Sequence, residues 1–189
     1  NKTYKEPTFA EEVTNQNLHG LERADLVIIA PQQFYQEAKR LAEFHRDHDQ
    51  LSSIIVRPEL IYNEFASGKP DATAYRRFMK MFYDRAECAG DETLYPRYLL
   101  LFGDGSCDNR HITSEWQGYK YPFLLTFQSV SSIDERTSYV TDDYFSFLKD
   151  SDGSNLLADK PVIGVGRFPV RTTAEAKIAV DKVINYTNN

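Results

Sequence analysis

The stretch YPRYLLLFGDGSCDNR, residues 95–110, decides the fold. After Pro96 it runs Tyr98-Leu99-Leu100-Leu101-Phe102 without a polar break, then turns through Gly103-Asp104-Gly105-Ser106-Cys107-Asp108-Asn109. Large apolar residues with no alternation predict a strand covered on both faces, as in a parallel sheet flanked by helices. The Gly/Asp-rich turn then falls at the strand's carboxyl end, where open α/β sheets place their sites.

Three further apolar runs lie to either side. Ala24–Ala30 (ADLVIIA) and Ser53–Arg57 (SIIVR) precede the organising strand, and Val162–Val165 (VIGV) follows it. Helical patterns separate them. From Gln32 to about His48, residues Phe34, Ala38, Leu41, Ala42 and His45 share one stripe, and Pro31 suits the first helical position. Pro58 opens a short helix that Gly68 can close in a left-handed cap. Asp71 is an N-cap for a helix over 72–87, whose apolar face holds Tyr75, Phe78, Met79, Phe82, Tyr83 and Ala86. Its two methionines read as core filling. Thr172 with Glu175 forms a capping box for a last helix, striped by Ala176, Ala179, Val180, Val183 and Ile184.

Strands alternating with helices predict an α/β fold: a mainly parallel sheet of about four strands in the flavodoxin-like order 2-1-3-4, with helices on both faces. Residues 1–23 read as an N-terminal arm and 24–189 as a single α/β domain. Between about 110 and 161 no clean helix is found. YPFLLTFQ and SYVTDDYFSFL suggest an irregular or hairpin-like excursion, since a plain loop of that length is uncommon.

Composition narrows the function. A net charge of −6 and a pI near 5.3 leave no basic footprint for nucleic acid or anionic membrane. No apolar run approaches the roughly 20 residues of a membrane span, and the opening NKTYKEP carries no secretory signal and reads as the interior of a longer chain.

The turn GDGSCDN admits several chemistries. As a phosphate cradle it lacks the Gly-Lys-Ser/Thr ending and a following helix, although a phosphate-handling hydrolase using Asp104 remains a distant alternative. As a metal site, Asp104 and Asp108 supply too few oxygens for Ca²⁺ or Mg²⁺. As a nucleophile turn, Cys107 needs one of four histidines beside it. The plain alternative, which the residues favour, is a tight turn held by Asp104, Ser106 and Asp108, with glycines that accept positive φ. Asp142 and Asp143, if in a strand, point to opposite faces and form no dyad, though either could join a cleft. Asp150 and Asp152 in KDSDGSN are a fragment of a calcium loop that lacks its twelfth-position glutamate, where Pro161 stands, so structural calcium is a weak candidate and no other cofactor is indicated. His45 and His48 have helical metal spacing but no further ligand nearby in sequence, and Cys88 carries no motif. The residues alone assemble no catalytic constellation.

Taken together, NQNLHGLERADLVIIAP, PDATAYRRFMKMFYDRA, YLLLFGDGSCDNR, SYVTDDYFSFL and IGVGRFPVRTTAEAKIAVDKVINY resemble the gingipain-like cysteine peptidases, which have a caspase-like fold. Within that family the resemblance is to the members that act as the sortase-like signal peptidase of type IX secretion. It runs in order over the chain from about Asn15. The resemblance implies two α/β subdomains, with the catalytic histidine and cysteine in the second. The family's His-Gly pair is missing from the expected place: His19 precedes a glycine but lies in the opening NQNLHG, and Cys107 stands where the family is not catalytic. The resemblance therefore implies a first, non-catalytic subdomain of a secreted endopeptidase. Its partners would be a second catalytic subdomain of the same chain and a protein or peptide substrate, in the periplasm, outer membrane or cell surface of a bacterium. The alternative is a binding or assembly module that keeps the fold without the dyad.

Overall fold

The computed structural model describes residues 6, 8, 9, 12, 15–119, 123–131, 133, 134, 136–155 and 158–187. Much of the expected arm, and Tyr121 and Pro122 of YPFLLTFQ, lie outside these residues.

Its centre is a four-stranded parallel sheet of β1 (Leu26–Ile29), β2 (Ser53–Val56), β3 (Tyr98–Phe102) and a last strand at Gly164–Phe168. The order is β2-β1-β3-last, as the alternation of runs predicted. Helices α1 (Tyr35–Asp49), α2 (Pro58–Phe65), α3 (Ala72–Ala89) and α4 (Thr173–Thr187) cover both faces. Strand parity divides the core. Val27, Ile29, Leu99 and Leu101 face α2 and α3, where Phe78, Met79 and Phe82 are buried. Leu26, Ile28 and Phe102 face α1 and α4, against Phe34, Leu41, Ala176 and Val180.

The caps are those the sequence encodes. Asp71 accepts the Thr73 N–H at 2.8 Å, and Thr172 and Glu175 exchange their capping-box bonds at 3.2 Å each. Gly68 and Gly90 take left-handed conformations behind α2 and α3, which a side chain would strain.

Several boundaries differ from expectation. Pro31 is not the first helical residue: its ψ of 152° is extended, and Gln32–Phe34 forms a 3₁₀ turn before α1. That turn swings Phe34 onto Phe102, with ring centroids 5.9 Å apart. The last strand begins at Gly164 rather than Val162, because the Val162 N–H is drawn to the Ser146 carbonyl (3.0 Å) before Gly164 reaches Arg97 (2.9 Å). The central strand is not sealed on both faces throughout. Leu99 and Leu101 are buried, but Leu100 is only half-buried.

The excursion after β3 has less strand than its apolar runs suggested. A two-residue antiparallel ladder joins β4 (Phe127–Gln128) to β5 (Val140–Thr141), and Asp143–Ser146 is a 3₁₀ turn. The last sheet strand is therefore β6 (Gly164–Phe168). Tyr144, Phe145 and Leu148 are buried in the core on the α2/α3 side. Arg76 of α3 holds this segment by donating to the carbonyls of Phe147 (2.5 Å) and Asp152 (2.8 Å).

The described part of the N-terminal segment is pinned to α2 through one carboxylate. Glu64 accepts the Leu18 N–H at 2.6 Å, the His19 N–H at 3.1 Å and the Gln16 amide at 2.8 Å, and it meets His19 Nδ1 at 2.6 Å. Burial raises the Glu64 pKa, but these donors outweigh it, led by the Leu18 N–H, and bring it down to about 2. A depressed carboxylate pKa gives stability that is fully present above the unfolded value, about 4.3, and is lost as pH falls toward 2. Glu64→Gln is therefore expected to flatten the decline of melting temperature between about pH 5 and pH 2 relative to wild type. Parallel curves for the two proteins would contradict this.

Candidate functional site

At the carboxyl edge of the sheet, β3 and β6 end side by side and the GDGSCDN turn rises from them. The Gly103 N–H donates to the Phe168 carbonyl (3.0 Å) and the Asp104 N–H to that of Val170 (3.1 Å), so the turn is sewn to the end of β6. Its glycines serve a purpose other than the expected one. Neither Gly103 nor Gly105 has positive φ. A Cβ on Gly105 would lie 2.7 Å from Thr126 Cγ2 and 3.1 Å from Arg167 Nη1, and one on Gly103 would lie 3.2 Å from Leu124. Close approach of the excursion, not backbone handedness, requires glycine there.

The candidate carboxylates have separate tasks. Asp104 accepts the Gly105 N–H at 2.8 Å and the Arg171 Nε–H at 2.5 Å. Asp108 accepts the N–H groups of Ile112 (3.0 Å) and Thr113 (2.8 Å) and the Thr113 hydroxyl (2.8 Å). Those main-chain donors, Ile112 first, pull its carboxyl down to about 2. The Ser106 hydroxyl accepts the Asp108 N–H at 2.9 Å. Each of these bonds organises the turn. Asp104→Ala is expected to destabilise the chain by about 1 kcal/mol, and Asp104→Asn by less because it keeps an acceptor for Gly105. Denaturant titration of both variants checks this, and equal losses would overturn it.

Asp142 and Asp143 do not lie in a strand, since β5 ends at Thr141. Asp142 turns inward and takes both Arg167 Nε (2.7 Å) and Nη2 (2.8 Å). Asp143 is exposed and opens the 3₁₀ turn. Asp150 is 96% exposed in a pair with Lys80 at 2.7 Å, while Asp152 closes its own turn through the Lys149 N–H at 3.1 Å. They do not converge, and among the described residues no three His, Cys, Asp or Glu side chains are grouped to hold a metal.

Arg167 and Arg171 are the residues that motif reading passed over. Arg167 projects from β6 under the turn. Besides Asp142, it donates to the carbonyls of Gly103 (3.0 Å), Leu124 (3.3 Å) and Leu125 (3.3 Å). Arg171 bridges Asp104 to an aromatic wall, its guanidinium 4.7 Å from the Trp116 ring centre. Trp116 meets Phe123 edge-on at 4.8 Å, and Tyr119 stacks on Phe123 at 4.8 Å. The available signal was the run GRFPVR, which spans the end of β6 and the turn after it, where an arginine enters a sheet only if it finds acceptors.

Neither cysteine is paired with a base among the described residues. Cys88 and Cys107 are free and exposed. The histidines are engaged elsewhere: His19 with Glu64, His45 and His48 both on Asp49 at 2.6 and 2.7 Å, and His111 among the rings of Tyr119 and Phe123. Among the described residues, no hydrogen bond joins a histidine to either cysteine.

Comparison with known proteins gives this arrangement its context. No curated protein sequence matches the chain. Among solved structures, dimeric latent PorU from Porphyromonas gingivalis superposes with a TM-score of 0.83 at 49% identity, over 92% of this chain and 16% of that one. The complex of Porphyromonas gingivalis RgpB pro- and mature domains superposes with a TM-score of 0.53 at 17% identity, over 85% of this chain and 28% of that one, a likeness of fold alone. The chain thus spans about a sixth of the PorU chain it matches. The sequence model of peptidase family C25 matches residues 19–189, from the segment pinned on Glu64 through the turn and its arginines to the end of α4. On that match, together with the PorU likeness, the chain belongs to peptidase family C25, the gingipain family.

Proposed function

We propose that this chain is the first, non-catalytic subdomain of a secreted gingipain-like cysteine endopeptidase, of the kind that serves as the type IX secretion sortase and removes C-terminal signal domains. The observation that carries this is the 49% identity to PorU over 92% of this chain, combined with the lack of a Cys/His pair among the described residues. Thiol catalysis needs a thiolate beside a fixed base and donors facing the oxyanion. Cys107 instead sits exposed in a turn whose polar groups are turned on one another.

In this reading residues 1–23 are an arm and 24–189 the subdomain. The turn of Asp104, Ser106 and Asp108, with Asp142 and Asp143 beyond it, forms a wall of the cleft without entering the chemistry. The second subdomain of the same longer protein supplies the histidine and cysteine, a polypeptide is the substrate, and no cofactor is needed. The protein works in the periplasm, outer membrane or cell surface of a bacterium. No helix among the described residues is long and apolar enough to cross a membrane.

The test is a peptidyl electrophile at neutral pH, applied to the 189-residue chain and to a protein that continues through the next α/β unit. Only the longer protein should label, at a cysteine beyond Asn189. Fast stoichiometric labelling of Cys107 in the short chain, lost on mutating one histidine, would make this chain a complete enzyme and end the proposal.

A further inference from the structure

Near the ends of α1 and α4 the sheet is bare. A cleft of about 700 Å³ opens there, floored by Tyr98, Leu100, Gly164 and Gly166 and walled by Leu41 and Val183. The edge strand creates it. Gly164 and Gly166 pair in register with Tyr98 and Leu100, so β6 adds no side chain beside them on the α1/α4 face. Tyr98 is left 42% exposed. The outer edge of β6 has no neighbouring strand among the described residues. Since Gly164 and Phe168 bond inward to β3, the main-chain groups of Val165 and Arg167 point outward. Glycines within a strand mark the close approach of another backbone, and long bare edges are ordinarily covered.

The direction of the chain says what covers it. α4 runs from the carboxyl edge of the sheet back to the amino edge, and Val183 in its last turns lines the cleft. α4 packs on the same face as α1. On that face α1 carries the chain from β1 to β2, away from β3. A right-handed crossover on the same face steps the same way, from β6 toward β3, where the place is already filled. A right-handed crossover through α4 would therefore not extend this sheet at β6, which leaves the cleft and the edge open to a unit with a sheet of its own.

We propose that the second α/β subdomain of the longer protein docks in this cleft and along the free edge of β6, laying main chain across Gly164 and Gly166. The proposal rests on the reading above that such a subdomain follows α4. The experiment places a photoreactive benzoylphenylalanine at Tyr98 of the full-length protein, where it replaces an aromatic side chain that is 42% exposed on the cleft floor and leaves Gly164 and Gly166 free. After irradiation, mass spectrometry is expected to find residue 98 joined to peptides beyond Asn189 of the same chain. Crosslinks to a second copy, to segments before Asn1, or to nothing but solvent overturn the proposal. Gly166→Glu in the full-length protein is expected to lower the melting temperature by several degrees and peptidase activity at least tenfold, whereas wild-type values for both would overturn it. The two readings fail separately. A full-length protein that crosslinks as expected but cleaves nothing removes the peptidase reading alone, and an active one whose residue 98 crosslinks elsewhere removes the docking alone.

Discussion

Leu101→Asp is expected to abolish folding, while Leu100→Asp, one residue earlier, leaves a folded and cooperatively melting chain. Leu101 is 0% exposed and faces the α2/α3 core, with Phe78 and Phe82 among its buried neighbours. Arg167, its register partner on β6, is already committed to Asp142 and three main-chain carbonyls, and burying an uncompensated charge costs several kcal/mol, a large part of the about 5–15 kcal/mol that holds a domain together. Leu100 points to the opposite face, onto the floor of the open cleft, where a carboxylate keeps contact with water. The apolar run by itself makes the two positions equivalent, and only the bare patch left by Gly164 and Gly166 separates them. Circular dichroism and thermal melting of both variants decide the matter. A soluble, native Leu101→Asp protein, or a Leu100→Asp protein as unfolded as its neighbour, would show that the two faces are not distinguished in this way.

Removing the Arg167 guanidinium should be the most damaging surface-distant change outside the apolar core. The side chain is 12% exposed and Asp142 24%, and the pair is bidentate. The same guanidinium satisfies the Gly103, Leu124 and Leu125 carbonyls, so it fastens β3, the start of the excursion and its end at one point. Arg167→Met keeps the aliphatic stem and deletes those donors, leaving a partly buried carboxylate and three carbonyls unpaired. A loss of about 3 kcal/mol is expected, within the range for breaking a buried pair by removing one partner. Arg167→Met combined with Asp142→Leu should recover part of that loss, because the stranded charge is then gone as well. Denaturant midpoints of the single and double variants test both statements. A single variant within about 0.5 kcal/mol of wild type would mean that water replaces the arginine at little cost.

How much of this was legible beforehand varied with the range of the interaction. The carboxylate Asp25 illustrates the middle ground. It stands inside ADLVIIA, where the neighbouring residues do not give its role. It is 4% exposed and takes the Ser52 N–H (2.9 Å), the Ser52 hydroxyl (2.5 Å) and Arg23 (2.7 Å). Burial pushes its carboxyl up, but those bonds more than reverse the effect and leave it below the ordinary value. An acidic residue at the start of a buried run signals a partner, but besides Arg23 that partner is Ser52, just before β2 and 27 residues away, and the run does not say which. The glycines of GDGSCDN taught the same lesson. Glycine is legible there as necessary, but positive φ is not the reason, because the crowding atoms belong to Leu124, Thr126 and Arg167.

What the sequence by itself determined about this protein is its local and periodic content. Four apolar runs located the strands, the last of them to within two or three residues, helical stripes showed which faces turn inward, and Asp71, Thr172 and Glu175 marked helix starts, since all of these depend on residues within a few positions of one another. Only the tertiary structure decided where the excursion lies, because its short ladder, its 3₁₀ turn and its anchoring by Arg76 and Arg167 are contacts between segments far apart in sequence. It likewise decided that Leu100 looks onto a cleft while Leu101 is sealed, and that Asp142 answers to Arg167 rather than to a reaction. Burial and pairing belong to the three-dimensional neighbourhood of a side chain, and periodicity gives its direction without saying whether anything stands there to meet it.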